Sequence, residues 1–437
     1  MKNFTRIILF AFFVVGTVSA QQEKGIYGTR NWLNNWTEFE PATIKYGEPT
    51  QILSGTITRD TKLTKRNTYL LSGNVYVTNG AKLTIDPGTV ILGDSDSNGT
   101  LIISRGSKII AKGTETDPIV FTSSSDVKKE GDWGGIFILG DAPINNYGNA
   151  ASIDFGLQPS SYSDISYGGE TPDTSSGALK YVRIEFAGKR TKEYGYFNAL
   201  TIAGVGYNTS FENIMVSNSQ GNSINVLGGI VNLRKIILYK SSGNDYVFNQ
   251  GTQCDIINSL AIRSPYVSRS SRSRCIYVAS FNDKEDADLA RTKSFVTAEN
   301  LTLVNLSENL EYDMKIGLVK EAIYIGEDAS LYINKSVVSG FNPAVVFDPK
   351  IKIKSSSLDR LRFSEMYFNN CKGNIFSGNN PNNDDLENWY GNRAFNNVYS
   401  KGNDSETFID LMDPTRPDFR LRINKIIASN DFEFDND

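Results

Sequence analysis

The chain has 437 residues with no histidine, three cysteines, and 49 acidic against 45 basic residues. One globular core stops growing at about 250 to 300 residues, so this length implies several domains or a repeat that extends in one dimension. Without histidine, Ser-His-Asp hydrolysis, Cys-His nucleophiles and His-ligated zinc or haem are excluded, and mild acidity without a basic domain argues against nucleic acid as a partner. Chemistry would have to come from carboxylates, Lys, Arg or Tyr.

Residues 1–20 carry Lys2 and Arg6, an apolar run from Ile7 to Val15 and the small-residue ending Val18-Ser19-Ala20. That pattern predicts a secretory signal peptide and an exported protein, periplasmic, outer-membrane-associated or extracellular. Its removal leaves 43 basic against 49 acidic residues. No later apolar run approaches the roughly 20 residues that cross a bilayer, so no membrane span is expected. No Cys follows the cleavage point, which gives a lipid anchor no support. Residues 21–70 are expected to form an N-terminal cap and first coil, with Trp32, Trp36 and Phe39 closing the apolar end of a solenoid rather than stacking on sugars.

The segment Val77-Thr78-Asn79-Gly80-Ala81-Lys82-Leu83-Thr84-Ile85 recurs in type 26 residues later as Ile103-Ser104-Arg105-Gly106-Ser107-Lys108-Ile109-Ile110-Ala111. Each unit is a short alternating strand, a Gly or Asn turn and another short strand, with no helical period between. In Tyr181-Val182-Arg183-Ile184-Glu185-Phe186 the apolar Val182, Ile184 and Phe186 face one way, and Arg183 and Glu185 the other. The pairs Leu200/Ile202, Ile214/Val216, Ile224/Val226 and Ile236/Leu238 then follow at steps of 14, 10 and 12 residues. Two steps make a coil of about 22 to 26 residues, the period of a right-handed parallel β-helix. The predicted fold is therefore all-β, a single-stranded right-handed parallel β-helix over 71–425 with irregular loop insertions. Asn213, Asn218, Asn222, Asn225 and Asn232 are expected at turns, where Asn tolerates the left-handed conformation and can form ladders.

Cys254 and Cys275 are 21 residues apart, close to one coil, and stacked strands sit about 4.8 Å apart, within the range a disulfide spans. They are the expected disulfide, with Cys371 free; three buried reduced thiols are the alternative. Asn282 to Asp288 and Asn379 to Asn383 read as polar loops, and residues 426–437, ending in the acidic run Asp431 to Asp437, as a frayed tail.

These segments resemble a family of exported parallel β-helix (pectin-lyase-like) surface proteins of the Bacteroidetes. The motifs that carry the resemblance are Asn31-Trp32 through Trp36 to Pro41 and Gly73 to Gly93 with its LTIDPGTVI core. Gly113-Thr114 through Thr122, the GDWGGI run from Gly131 to Ile136, and Tyr167-Gly168-Gly169 to Gly188 with LKYVRIEFAG also match. The resemblance implies the β-helix and an exported, envelope-associated life, but no activity. It also implies acidic residues in a turn where this chain has Gln220-Gly221-Asn222-Ser223-Ile224-Asn225, leaving Asp245 as the one acid of that region.

Candidate chemistry is sparse. Asp94, Asp96 and Asn98 followed by Gly99 reproduce the first half of a calcium loop, yet Arg105 stands where a bidentate Glu is needed; calcium is the one cofactor the sequence suggests, against a solvated turn. Lys180, Arg183 and Glu185 are the candidate ligand-binding set. β-Helix polysaccharide lyases use an Arg or Lys base beside uronate, so these three would also serve a lyase, although alternation alone places such charges on a solvent face. Asp384-Asp385 lacks the companions of a β-helix hydrolase. Arg263, Arg269, Arg272 and Arg274 could meet an anionic glycan or phosphate, or simply line a solvated loop. The expected function is non-catalytic binding or scaffolding in the cell envelope towards a polysaccharide or an outer-membrane partner; the alternative is a polysaccharide lyase acting on uronates.

Overall fold

The computed structural model describes residues 24–267, 273–281, 283–372, 376–377 and 384–422. The expected signal peptide, Arg269, Arg272, Asn282, the expected Asn379 to Asn383 loop and the acidic tail lie outside them. The described chain winds into a right-handed parallel β-helix with three strands per coil. In an early coil these are Thr68–Leu71, Asn74–Val77 and Lys82–Ile85, and each stacks in parallel on its counterpart in the next, Val90–Gly93, Thr100–Ile103 and Lys108–Lys112. The 26-residue repeat seen in the sequence is this register: Val77 lies opposite Ile103, and Lys82 opposite Lys108. Further on, Leu200 pairs with Ile224 and Ile214 with Ile236, as the spacing predicted.

Stacking the three strand types gives three faces, called here first, second and third in chain order within a coil. The second face is an 11-stranded sheet, whereas the first and third merge into one 17-stranded sheet. They merge because third-face and first-face strands become continuous: Gly177–Glu185, Ser210–Ser217, Ile230–Tyr239, Gln253–Arg263 and Phe295–Asn305 each run across a corner. One left-handed residue makes the bend in each, Tyr181, Asn213, Lys235, Asn258 and Asn300, with φ between 48° and 57°. Asn recurs there because its short polar side chain reduces the cost of that conformation. Asn213 and Asn218 are left-handed as expected, but Asn225 and Asn232 sit inside strands. Inward side chains such as Leu83, Ile109, Leu179, Val182 and Ile214 fill a continuous, almost fully buried core.

Two of the faces carry a second layer. The insertion between Leu139 and Gly177 includes the hairpin Ala151–Ser152 with Ser166–Tyr167. It packs Ile144, Ile153, Leu157 and Ile165 on Tyr76, Ile102 and Phe137 of the second face. Over the first face, residues 24–46 run back along the solenoid, against its direction of growth. Gly25 donates to Lys335 O in a late coil; Tyr27 and Asn258 exchange two hydrogen bonds of 3.0 Å; Ile44 O accepts from Lys128 Nζ at 2.8 Å near the early coils. Ile26, Leu33, Trp36 and Phe39 press on Met215, Ile237, Leu260, Val304 and Val337, joined by Phe408 and Phe419 of the C-terminal hairpin. The aromatics expected to close the first coil therefore seal the flank: alternation leaves the outer side of the first face apolar, and it needs a cover.

Candidate functional site

The flank cover changes the meaning of Arg183 and Glu185. Both point away from the core, as alternation required, yet Glu185 is 1 % exposed and lies beneath the N-terminal segment instead of on a solvent face. Arg183 Nε approaches Glu185 Oε1 at 3.1 Å, and Arg183 Nη2 donates to the Tyr46 hydroxyl at 2.6 Å. Burial pushes the Glu185 carboxyl up to about 7, although Arg183 pulls it down. The same burial, aided by the Glu185 charge, raises Tyr46. Lys180 does not join them. It pairs across the next strand with Glu212 at 2.9 Å on the third face, which raises its own pKa. The three residues are thus split between a sealed contact and an open face.

The other sequence candidates have structural work. The Asp94 carboxylate accepts the hydroxyls of Ser97 and Ser72 and the amide of Asp96, and Gly99 N donates to Asp94 O at 2.9 Å. Burial opposes its ionisation, but these donors outweigh it and hold the carboxyl below its usual range. Of the oxygens expected to ligate calcium, those of the Asp94 carboxylate close their own turn, while the Asp96 and Asn98 side chains are open to solvent. Cys254 and Cys275 are both free and buried, which corrects the expected disulfide. Cys254 lies on the third face between Val231 and Val296, whereas Cys275 precedes a second-face strand, its carbonyl accepting from Tyr246 N. Inserted loops lengthen this coil, so a 21-residue separation does not return to the same face. Arg263 is buried against Asp245 at 3.1 Å and Arg274 pairs with Glu321 through Nε at 2.7 Å; neither projects freely from a solvated loop. Asn222 does form a ladder, donating to Asn198 Oδ1 at 2.9 Å and accepting from Asn244 Nδ2 at 3.2 Å.

The third face carries no second layer comparable to those on the first and second. Its outward positions include two polar rows that run across successive strands. One row is Lys112, Lys180, Glu212 and Arg234; another is Asp255, Thr297, Tyr332 and Arg362. Lys82 and Lys108 are direct neighbours, as are Lys112 and Lys180, although like charges placed opposite each other destabilise a sheet. Lys180 is neutralised by Glu212 and Lys82 approaches Asp60 at 3.9 Å, but Lys108, Lys112, Arg234 and Arg362 have no acidic partner among the described residues. At the early end a cleft of about 510 Å³ opens between Arg105, Lys108 and the Thr174 to Ser176 edge of the insertion. A second, about 330 Å³, lies among Glu299, Tyr332, Asn334 and Arg362. Of these residues the sequence singled out Lys180 alone; the rest were hidden because nothing local distinguishes a bare strand face from a covered one.

The geometry defines an elongated right-handed parallel β-helix with one uncovered, cation-bearing sheet face. Residues 55–408 match the family of pectate-lyase-like β-helix domains, and the chain belongs to that family. Among solved structures, an alginate lyase from Paenibacillus sp. str. FPU-7 is similar at 14 % identity over 67 % of this chain and 70 % of that one, with a TM-score of 0.22. No curated protein matches the chain.

Proposed function

We propose that the protein is exported to the cell envelope, in the manner of the Bacteroidetes surface family it resembles, and binds an extended acidic polysaccharide along its third face without cleaving it. The observation that carries this reading is the set of unpartnered cations, Lys108, Lys112, Arg234 and Arg362, on stacked strands of the face left bare. A rigid ladder of strands about 4.8 Å apart offers a linear polyanion many modest contacts at little ordering cost. Binding is favoured over lysis because Lys180, the lysine a lyase would use as base, is tied to Glu212, which raises its pKa, and because the carboxyls that burial raises lie elsewhere, Glu185 and Asp245 fully enclosed and Asp404 against Ser339 and Asn369.

The test is affinity electrophoresis in gels containing polygalacturonate, alginate or neutral xylan. The two polyuronates should retard the protein, with the retardation fading as salt screens the contacts and lost in a Lys108→Ala/Lys112→Ala/Arg234→Ala variant. Equal mobility in all gels would refute acidic-glycan binding. Release of unsaturated, ultraviolet-absorbing products from either polyuronate would make the protein a lyase.

A further inference from the structure

A third cleft, about 290 Å³, lies on the first-face flank, where the N-terminal segment, two loops and the turn of the C-terminal hairpin, Phe408–Asp410 with Asp418–Leu421, meet. Its floor is aromatic. Phe39 and Tyr239 are buried there, their rings edge to face at 5.0 Å. Its wall is Tyr266, which is 52 % exposed yet held at its hydroxyl by two hydrogen bonds. That hydroxyl donates to Asp313 Oδ2 at 2.8 Å and accepts from Glu308 N at 3.0 Å. Asp313 is itself buried, 4 % exposed, and also accepts from Ser307 Oγ at 2.6 Å. A buried carboxylate is expensive unless it is hydrogen-bonded. Here one of its partners is a half-exposed ring, whose fixing contributes little to the core.

We propose that this cleft binds one neutral pyranose ring of a glycan, stacked on Tyr266. A pyranose has an apolar face of C–H bonds and a rim of hydroxyls, and the cleft presents the complement. A tyrosine ring fixed in one orientation offers amphipathic contact without losing further rotamer freedom on binding. Around it stand Glu40, Glu308 and Lys240, none of them tied to an opposite charge among the described residues, and each able to hydrogen-bond a hydroxyl. Among the described lining residues Glu40, Glu308 and Asp413 outnumber Lys240, so they disfavour a uronate carboxylate, unlike the third face. Its volume is at the small end of ligand pockets, about 300 Å³, which suits one ring with the rest of the chain emerging past the exposed Met412.

Isothermal titration with cellohexaose, xylohexaose and mannohexaose tests this. At least one should bind with one-to-one stoichiometry. Tyr266→Ala should weaken that binding by about tenfold, and Tyr266→Phe, which keeps the ring but releases both hydroxyl bonds, by a smaller factor of about three. Both variants take one hydrogen bond from the buried Asp313 carboxylate, so both should melt at a somewhat lower temperature, and binding is compared well below the melting temperature of each. Should Tyr266→Ala fail to fold, Glu40→Gln/Glu308→Gln alters two exposed groups and should weaken binding as well. The Lys108→Ala/Lys112→Ala/Arg234→Ala variant should bind the neutral sugar normally, and Tyr266→Ala should still be retarded by polyuronate, so the two sites fail separately. Absence of heat with all three oligosaccharides at millimolar concentration, or undiminished affinity in both the Tyr266→Ala and the Glu40→Gln/Glu308→Gln variants, overturns the proposal.

Discussion

Glu185 makes the stability of the flank depend on pH in a direction that can be worked out. In the unfolded chain its carboxyl titrates near 4.5; in the fold, burial raises it to about 7, against the pull of Arg183, the Thr122 hydroxyl and Lys128 and with the push of Glu38, while Tyr46 faces it through Arg183. The folded state therefore holds a proton that the unfolded state releases between those two values. Stability from this group is fully present below about 4.5 and is lost as pH rises through about 7. The difference of some two to three units corresponds to about 3 kcal/mol. Asp245, pushed up to about 7 from 3.8 by burial beside Arg263, acts in the same direction, so the wild type carries both contributions. Urea midpoints measured from pH 4.5 to 7.5 should fall with rising pH. Glu185→Gln, which cannot ionise but keeps the shape, should flatten that fall by roughly half, whatever its effect on stability at one pH. If the variant shows the same pH slope as the wild type, Glu185 does not titrate in this window and the account of the sealed pair is wrong.

Two further outcomes follow from the packing. Trp36 is fully buried, stacked on Trp32 at 6.5 Å and edge-on to Tyr181 at 5.6 Å, so Trp36→Ala should cost about 3 to 5 kcal/mol by thermal denaturation and expose the first-face flank to a hydrophobic dye; an unchanged melting temperature would show that the N-terminal segment is not a cover. Burial raises the Cys254 and Cys275 thiols well above their usual range, so both should resist a thiol reagent in the native protein at mildly alkaline pH and all three cysteines should label in urea, whereas recovery of a linked pair would contradict the separation of the two thiols onto different faces.

The coil was legible in the sequence because a parallel solenoid pairs each residue with the one a period away, so Lys82 and Lys108 announce their register by recurring. Regular coils kept this signal, but inserted loops erased it. Cys254 stacks on Val296, beyond two loops, and no local spacing could reveal that. The parity of Arg183 and Glu185 was also legible, their burial was not. Alternation says which side of a strand a residue takes, whereas cover comes from Tyr46, 137 positions earlier in the chain. The calcium pattern was ambiguous for a related reason, since the Asp94 carboxylate accepts hydrogen bonds within its own turn, a use that the same residue types at the same spacing serve equally well.

Three equivalent faces would give a solenoid no preferred working surface, and here the additions remove the equivalence. Where outward positions are apolar, as at Met215, Ile237 and Leu260, a segment must cover them, and the N-terminal strap and C-terminal hairpin do. On the second face, Tyr76, Ile102 and Phe137 call for the insertion in the same way. The third face needs little cover because its outward rows are mostly polar, with single apolar positions such as Ile110 and Ile257 between them, and it retains adjacent lysines that a purely structural sheet would gain by replacing. A cost retained on the one face left open, while apolar surface elsewhere is sealed, is the physical ground for placing recognition there. The insertion that covers the second face also supplies Thr174 to Ser176 to the cleft beside Lys108, so a single element both closes one face and shapes the edge of the other.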